Sequence, residues 1–367
     1  MQELLWKLNC LISYRPLPTT IMISKILRAY GISGTASRFG SGLIHHTWLV
    51  HSESGLFILQ QVNHYIFKRP AIIAQNIRLI DRYLARHHPA YLLVAPLPTT
   101  EGSDQLYLPE SGYYRLFSFV PQSHTTDVVQ SPTQAFEAAR QFGLFTKLLA
   151  GFDADTLQET LPHFHHLPLR YAQYNGALLN GNPERIRHAQ PLCRRLQQYH
   201  PILSTSKALM AHPAFKRRVT HHDTKISNVL FNATGNGLCV VDLDTVMPGY
   251  FISDVGDMLR TYLSPVSEEE KEVTKINIRP AYFTAIANGY LDAMRDEMTA
   301  VEIDHFVFAG KYMTYMQALR FLTDYINNDV YYGEQYHEQN LIRAGNQLEL
   351  LQQLTAMESE LMRLLPR

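Results

Sequence analysis

Two short runs rich in β-branched and aromatic residues stand close together near the start of the chain. They are Thr47-Trp48-Leu49-Val50 and Leu56-Phe57-Ile58-Leu59-Gln60, with turn-forming residues from Ser52 to Gly55 between them. That composition, bounded by a turn, predicts a β-hairpin. From Pro70 to His87 the apolar residues fall at Ile73, Ile77, Ile80 and Leu84. This is helical spacing, and a proline suits the first helical turn. Tyr91 to Val94, Gln105 to Leu108 and Tyr113 to Val120 read as three further strands. Beyond Pro121 the character changes. Ser131-Pro132 opens a helical stretch to about Ala150, and the rest is mostly helical apart from a strand–loop–strand insert between about Val219 and Val246. The pattern predicts an α+β chain with a small β-rich lobe at 23–121 and a large helical lobe at 122–367, the boundary falling near Phe119 to Thr126. Residues 1–22 read as an N-terminal extension, because Met22 opens the first domain-like stretch, Ile23-Ser24-Lys25-Ile26-Leu27.

Composition narrows the possibilities. Apolar residues make up 46% and aromatic residues 11% of 367 positions, which suits a folded globular chain long enough for two lobes. Net charge is zero with histidine neutral, so no polyanionic partner is expected. Lys216-Arg217-Arg218 is too short a basic run to serve as a nucleic-acid footprint. Cys10, Cys193 and Cys239 are few, odd in number and far apart, which fits a reducing compartment rather than a disulfide framework. The first 18 residues are interrupted by Lys7, Asn9 and Arg15 and do not read as a signal peptide. No run approaches the ~20 apolar residues of a membrane span. A cytoplasmic location is the expectation.

The chemistry concentrates in Val219-Thr220-His221-His222-Asp223-Thr224-Lys225-Ile226-Ser227-Asn228-Val229-Leu230-Phe231. His-x-Asp followed by Asn five residues after the Asp is the spacing of a kinase catalytic loop. Phosphoryl transfer depends on positioning and on charge stabilisation. Asp223 suits the carboxylate that orients an acceptor hydroxyl and takes its proton. Asn228 suits an amide oxygen on a metal ion, and Lys225 places a positive charge beside the travelling group. His221 reads as a brace for the loop. A second apolar run, Leu238-Cys239-Val240-Val241, ends in Asp242, and a carboxylate at a strand end is a hard oxygen ligand for Mg²⁺. Asp244 reads as a second ligand or as a support for the loop.

These motifs, with Val241 to Gly249 and Asp254-Val255-Gly256-Asp257-Met258-Leu259-Arg260, resemble the aminoglycoside phosphotransferase and choline kinase superfamily. Gly40 to Thr47, Ile58-Leu59-Gln60-Gln61-Val62-Asn63 and Arg320-Phe321-Leu322-Thr323-Asp324-Tyr325 are similar to the N-acetylhexosamine 1-kinases within it. The resemblance covers about Ser24 to Leu350. It implies a protein-kinase-like two-lobed fold, an ATP site involving Gly40, Gly42, Gln60, Gln61 and the backbone of Phe119 and Val120, and Mg²⁺ between Asn228 and Asp242. It further implies a sugar whose anomeric hydroxyl faces Asp223, contacted by Arg320, Asp324 and Tyr325. Spacing alone allows Arg320 and Asp324 either one shared pocket or an ordinary exposed ion pair on a helix.

The chain departs from the kinase pattern in its third strand. Where protein kinases hold the nucleotide phosphates with a lysine, this strand reads Ile58-Leu59-Gln60-Gln61. Lys68 and Arg69 are nearby cations but read as solvated charges. Gly40-Ser41-Gly42 is a reduced glycine loop. The pairs His45-His46, His87-His88, His165-His166 and His221-His222 lack metal-ligand spacing and, His221 apart, read as surface or helix-end histidines, with His163 to His166 equally suited to a substrate loop. The many tyrosines between Tyr312 and Tyr336 read mainly as helical core. Two rivals stay open: a kinase for another alcohol such as choline, homoserine or an aminoglycoside, and a nucleotide-binding pseudokinase.

Overall fold

The computed structural model describes residues 18–40 and 44–366, so Gly42 lies outside the described residues. The chain forms two compact units. The first comprises the chain up to Ser123 with Leu157–Leu161 and Leu243–Val246, and the second comprises His124–Thr156, Pro162–Asp242 and the chain from Met247 onward.

In the first unit, helix α1 (Thr20–Ala29) begins where the Thr19 side chain accepts a hydrogen bond from the Met22 N–H at 3.3 Å. The helix therefore starts two residues before Met22. An antiparallel sheet follows, made of β1 (Gly34–Arg38), β2 (His46–Ser52), β3 (Gly55–Val62), β4 (Leu106–Leu108) and β5 (Gly112–Ser118), in the order β1-β2-β3-β5-β4. The β2–β3 pair is the expected hairpin, with Ser52 opposite Gly55. Trp48, Val50, Leu59, Tyr114 and Leu116 on one sheet face pack with Ile23, Ile26 and Leu27 of α1. Helix α2 (Pro70–His87) buries Ile73, Ile77, Ile80 and Leu84, the residues picked out by their spacing.

Tyr91 to Val94 is not a strand. Pro89, Pro96 and Pro98 flank the run and cannot donate to a ladder, so Leu97 makes only an isolated bridge to Leu116. Strand β1 was not anticipated, because Gly-Thr-Ala-Ser-Arg shows no apolar alternation. It forms through backbone pairing with β2 and stays largely exposed.

The second unit is mostly helical. Helix α3 (Pro132–Leu148) is capped by the Ser131 side chain, which accepts from the Gln134 N–H. It is followed by α4 (Leu167–Asn180), α5 (Pro183–Gln197) and α6 (Pro201–Met210). Strands β6 (Arg218–Thr220), β7 (Val229–Asn232), β8 (Gly237–Val240) and β9 (Met247–Gly249) interrupt the helices. β6 pairs with β9, and β7 with β8, antiparallel in both cases. Helices α7 (Phe251–Tyr262), α8 (Pro280–Met294), α9 (Ala300–Asp304), α10 (Phe306–Ile326), α11 (Gln339–Ala356) and α12 (Glu358–Arg363) complete it. Helix α10 is buried nearly all round, with Tyr312, Tyr315, Phe321 and Leu322 fully enclosed. Among the described residues no helix is long and apolar enough to cross a membrane.

Candidate active site

The catalytic-loop residues lie between β6 and β7. His221 follows β6, and a single 3₁₀ turn, Ile226–Asn228, leads into β7. The loop carries few apolar side chains, so its backbone N–H groups need dedicated acceptors. Helix α7 supplies them. Asp254 accepts from the His221 N–H at 3.0 Å and the His222 N–H at 2.7 Å, and Asp257 accepts from the Thr224 N–H at 3.0 Å. The Thr224 hydroxyl donates back to the Asp254 carbonyl, and the Tyr262 hydroxyl donates to the Thr224 carbonyl. Both carboxylates are buried. Burial pushes Asp254 up to about 6, against the lowering effect of nearby His221 and its two N–H donors. Burial also raises Asp257, while Arg260, which donates to it from Nε and a terminal nitrogen, opposes the shift. In sequence these two aspartates belong to a family-like run but carry no task of their own. Their signal was two carboxylates three residues apart in a helix whose other residues up to Leu259 are apolar but for Ser253.

His221 is fully enclosed, its ring between the Val241 carbonyl (3.0 Å) and the edge of Phe142, while its Nδ1 lies 3.4 Å from the Asp223 N–H. The Asp223 carboxylate is pinned from two sides. Asn228 Nδ2 donates to its Oδ2 at 3.1 Å and to its backbone carbonyl at 2.9 Å, and Lys225 Nζ lies 3.3 Å from the same Oδ2. Lys225 is half exposed, and Asp223 beside it raises its pKa. With the Asn228 amide nitrogen committed to Asp223, the amide oxygen is the atom left for a hard cation. Asp242 is exposed, follows directly on Val241, whose N–H donates to the Asn228 carbonyl at 2.9 Å, and holds a left-handed backbone (φ 60°). These hard oxygens suit Mg²⁺.

His222, expected at the surface, is buried, and burial lowers it to about 3. Its Nδ1 lies 3.3 Å from the Nδ1 of His165, whose ring stacks on Phe164 at 4.3 Å. Phe164 in turn lies under the Arg320 guanidinium at 5.5 Å, and Tyr331 and Tyr332 face the same guanidinium at 5.7 and 5.4 Å. Contacts thus connect Arg320 to the residue before Asp223. Asp324 touches this cluster only through backbone N–H groups, and Tyr325 is bonded elsewhere. The Asp324 carboxylate is buried and accepts from the Tyr331 N–H, the Tyr332 N–H and the Asn340 amide, closing the loop after α10. The Tyr325 hydroxyl meets His188 Nδ1 at 2.9 Å. These are the protein partners of the two residues expected at the sugar. Four-residue spacing put Arg320 and Asp324 side by side, but the returning loop claimed the carboxylate.

In the first unit, Gly40 adopts φ 74°. Lys68 and Arg69 are exposed, as expected of solvated charges. Gln61, expected at the ATP site, has a protein partner here. It is buried and its Nε2 donates to the Ser111 carbonyl at 2.8 Å. The Gln60 amide oxygen accepts from Arg115 Nε at 3.0 Å. Asp244 is enclosed and shared between His45 Nε2 at 2.9 Å and the Arg115 guanidinium. Burial alone would raise its carboxyl, but the Arg115 guanidinium and the hydrogen bond from His45 hold it well below the usual range. His45 is therefore a buried partner, contrary to the surface expectation. The Phe119 N–H donates to the Leu56 carbonyl, and the Val120 carbonyl accepts from the Ser123 hydroxyl.

Comparison with known proteins bears on family and fold. The sequence model of the phosphotransferase enzyme family matches residues 35–298. Among solved structures, the chain is similar to a spectinomycin phosphotransferase in complex with ADP and spectinomycin, at TM-score 0.60 and 14% identity, covering 94% of this chain and 99% of that one. It is also similar to an aminoglycoside phosphotransferase from Alicyclobacillus acidocaldarius, at TM-score 0.61 and 13% identity over 95% and 97% of the two chains. A choline kinase from Cryptosporidium parvum aligns at TM-score 0.54 and 13% identity over 99% and 98%. At such identities the likeness establishes the protein-kinase-like fold, a small antiparallel sheet followed by a mostly helical remainder. The match over residues 35–298 establishes the kinship: the chain belongs to the phosphotransferase enzyme family.

Proposed function

We propose that this chain transfers the γ-phosphoryl group of ATP to an alcohol, and specifically to the anomeric hydroxyl of an N-acetylhexosamine. The observation that carries the reading is the Asp223 carboxylate held by Asn228 at 3.1 Å with Lys225 at 3.3 Å. That arrangement fixes a base and leaves a cation beside it. Asp223 takes the acceptor proton as the acceptor oxygen bonds to the γ-phosphorus, the bond to the β–γ bridging oxygen breaks, and ADP departs. Lys225 stabilises charge on the phosphoryl oxygens. Asn228 and Asp242 would hold Mg²⁺, which supplies charge neutralisation on the phosphates when bound. Gly40 would lie along the phosphates. The Phe119 carbonyl and Val120 N–H are the backbone pair available for the adenine edge.

The sugar rests on the resemblance described above and on one physical point. Phe164, Tyr331 and Tyr332 surround a guanidinium. Aromatic faces that serve an ammonium acceptor must be open to it, and here Arg320 already occupies them. A cationic acceptor such as choline or an aminoglycoside would meet like charge, whereas sugar hydroxyls would meet a donor. ADP release with Mg·ATP over N-acetylglucosamine, N-acetylgalactosamine, galactose, choline and kanamycin tests this. Turnover with a hexosamine and not with the cations is expected. Preference for choline or kanamycin would overturn the sugar reading. ATP binding without turnover on any acceptor would favour a nucleotide-binding pseudokinase.

A further inference from the structure

We propose that Arg115 is the buried cation that compensates for the third strand's missing lysine, acting as a positioning residue through Asp244 rather than by touching nucleotide; this rests on the kinase reading above. Arg115 stands on β5 directly opposite Gln60 of β3 in the sheet register. It therefore projects from the neighbouring strand at the level where Ile58-Leu59-Gln60-Gln61 carries no positive charge. It is 4% exposed. Its Nε is fixed by the Gln60 amide oxygen at 3.0 Å, and a terminal nitrogen bonds one Asp244 oxygen. His45 Nε2 takes the other oxygen at 2.9 Å, and His45 Nδ1 accepts the Asn63 N–H at 3.1 Å.

The held carboxylate sits in the 3₁₀ turn Leu243–Thr245, which starts at the residue after Asp242. Val246 closes that turn onto the Leu243 carbonyl, and the Asn76 amide donates to the Val246 carbonyl at 3.1 Å. Asp242 itself has φ 60°. A left-handed non-glycine backbone persists only where its surroundings over-determine it. Two donors far apart in sequence, Arg115 and His45, on the carboxylate two residues onward provide that determination. A planar guanidinium bonding Gln60 and Asp244 at once fixes direction as well as charge, which an ammonium does not.

The test is calorimetric titration of the full-length chain with Mg·ADP, together with melting curves. It compares wild type, Arg115→Lys, Arg115→Met and the double variant Arg115→Met/Asp244→Asn. Arg115→Met is expected to weaken Mg·ADP by between about 10- and 100-fold, as removal of a ligand's support does, and Arg115→Lys to fall between it and wild type. The double variant removes both buried charges. It is expected to recover melting temperature without recovering Mg·ADP affinity. If Arg115 only neutralises Asp244 for folding, the double variant regains affinity as well, and the proposal falls. Wild-type affinity in Arg115→Met overturns it directly. Should Arg115→Met fail to fold, the Lys and double variants decide. Because the readout needs no acceptor, wild-type Mg·ADP binding without turnover would sink the kinase reading and leave this proposal standing.

Discussion

At the residue scale, the site divides into groups that meet substrate and groups that hold them. Asp242 belongs to the first kind under the proposed reading. Asp242→Asn is expected to raise the Mg²⁺ concentration needed for half-maximal ADP binding at least about tenfold, because an amide is a far weaker ligand for a hard dication than a carboxylate. An unchanged Mg²⁺ requirement in calorimetry would remove Asp242 from the metal site. Asp254 belongs to the second kind. Burial raises its pKa to about 6, against about 3.9 in an unfolded chain. The folded chain therefore holds this proton more tightly. Its contribution to stability is greatest below about pH 4 and declines as pH rises to about 6. Function runs the other way, because the ionised carboxylate is the stronger acceptor for the His221 and His222 N–H groups. Turnover is expected to rise along an acid limb centred near pH 6, and Asp254→Asn is expected to lower kcat and abolish that limb. A limb that survives in Asp254→Asn would assign it to another group.

At the element scale, the second unit depends on close helix approach. A Cβ added at Gly289 of α8 would lie 2.2 Å from the Phe136 carbonyl of α3, and one added at Gly143 of α3 would lie 2.9 Å from the Tyr290 carbonyl. Gly289→Ala must push the two helices apart, at about 1–3 kcal/mol and a fall of at least about 2 °C in Tm. Gly176, inside α4, has nothing within 4 Å of its missing Cβ, so Gly176→Ala is expected to leave Tm unchanged or raise it. Equal shifts in calorimetric scans of the two variants would refute this packing account. Elements of this kind were legible in the sequence where the signal is local. The β2–β3 hairpin, the α2 spacing from Ile73 to Leu84 and the proline-led start of α3 each declare themselves within a few residues. β1 did not, because an edge strand held by backbone pairing needs no apolar pattern. The Asp223–Asn228 contact was legible because the proposed chemistry imposes a five-residue spacing between them. The arrangement around Asp244 was not, since Arg115 and His45 lie 129 and 199 residues away in sequence. The partners of Asp324 were hidden for a related reason: helical spacing indicates which side chains share a face but not which returning loop will bond them.

At the scale of the whole molecule, the proposed sugar specificity turns on Arg320. The chain's net charge is zero, so no global field steers a charged acceptor toward the site, and discrimination falls to local groups. Arg320→Ala is expected to raise the KM for a hexosamine about tenfold or more, the loss of one charged hydrogen-bonding group, with the KM for ATP unchanged. Equal effects on both constants would place Arg320 in the scaffold. The central claim is that Asp223 brings an alcohol to phosphoryl transfer, and its most direct test is acceptor-dependent ADP release by wild type and Asp223→Asn, with ATP binding measured in parallel. The predicted result is a fall in kcat of at least about 100-fold, the usual size of a lost acid–base contribution, with ATP affinity nearly unchanged. Near-wild-type turnover in Asp223→Asn would contradict the account.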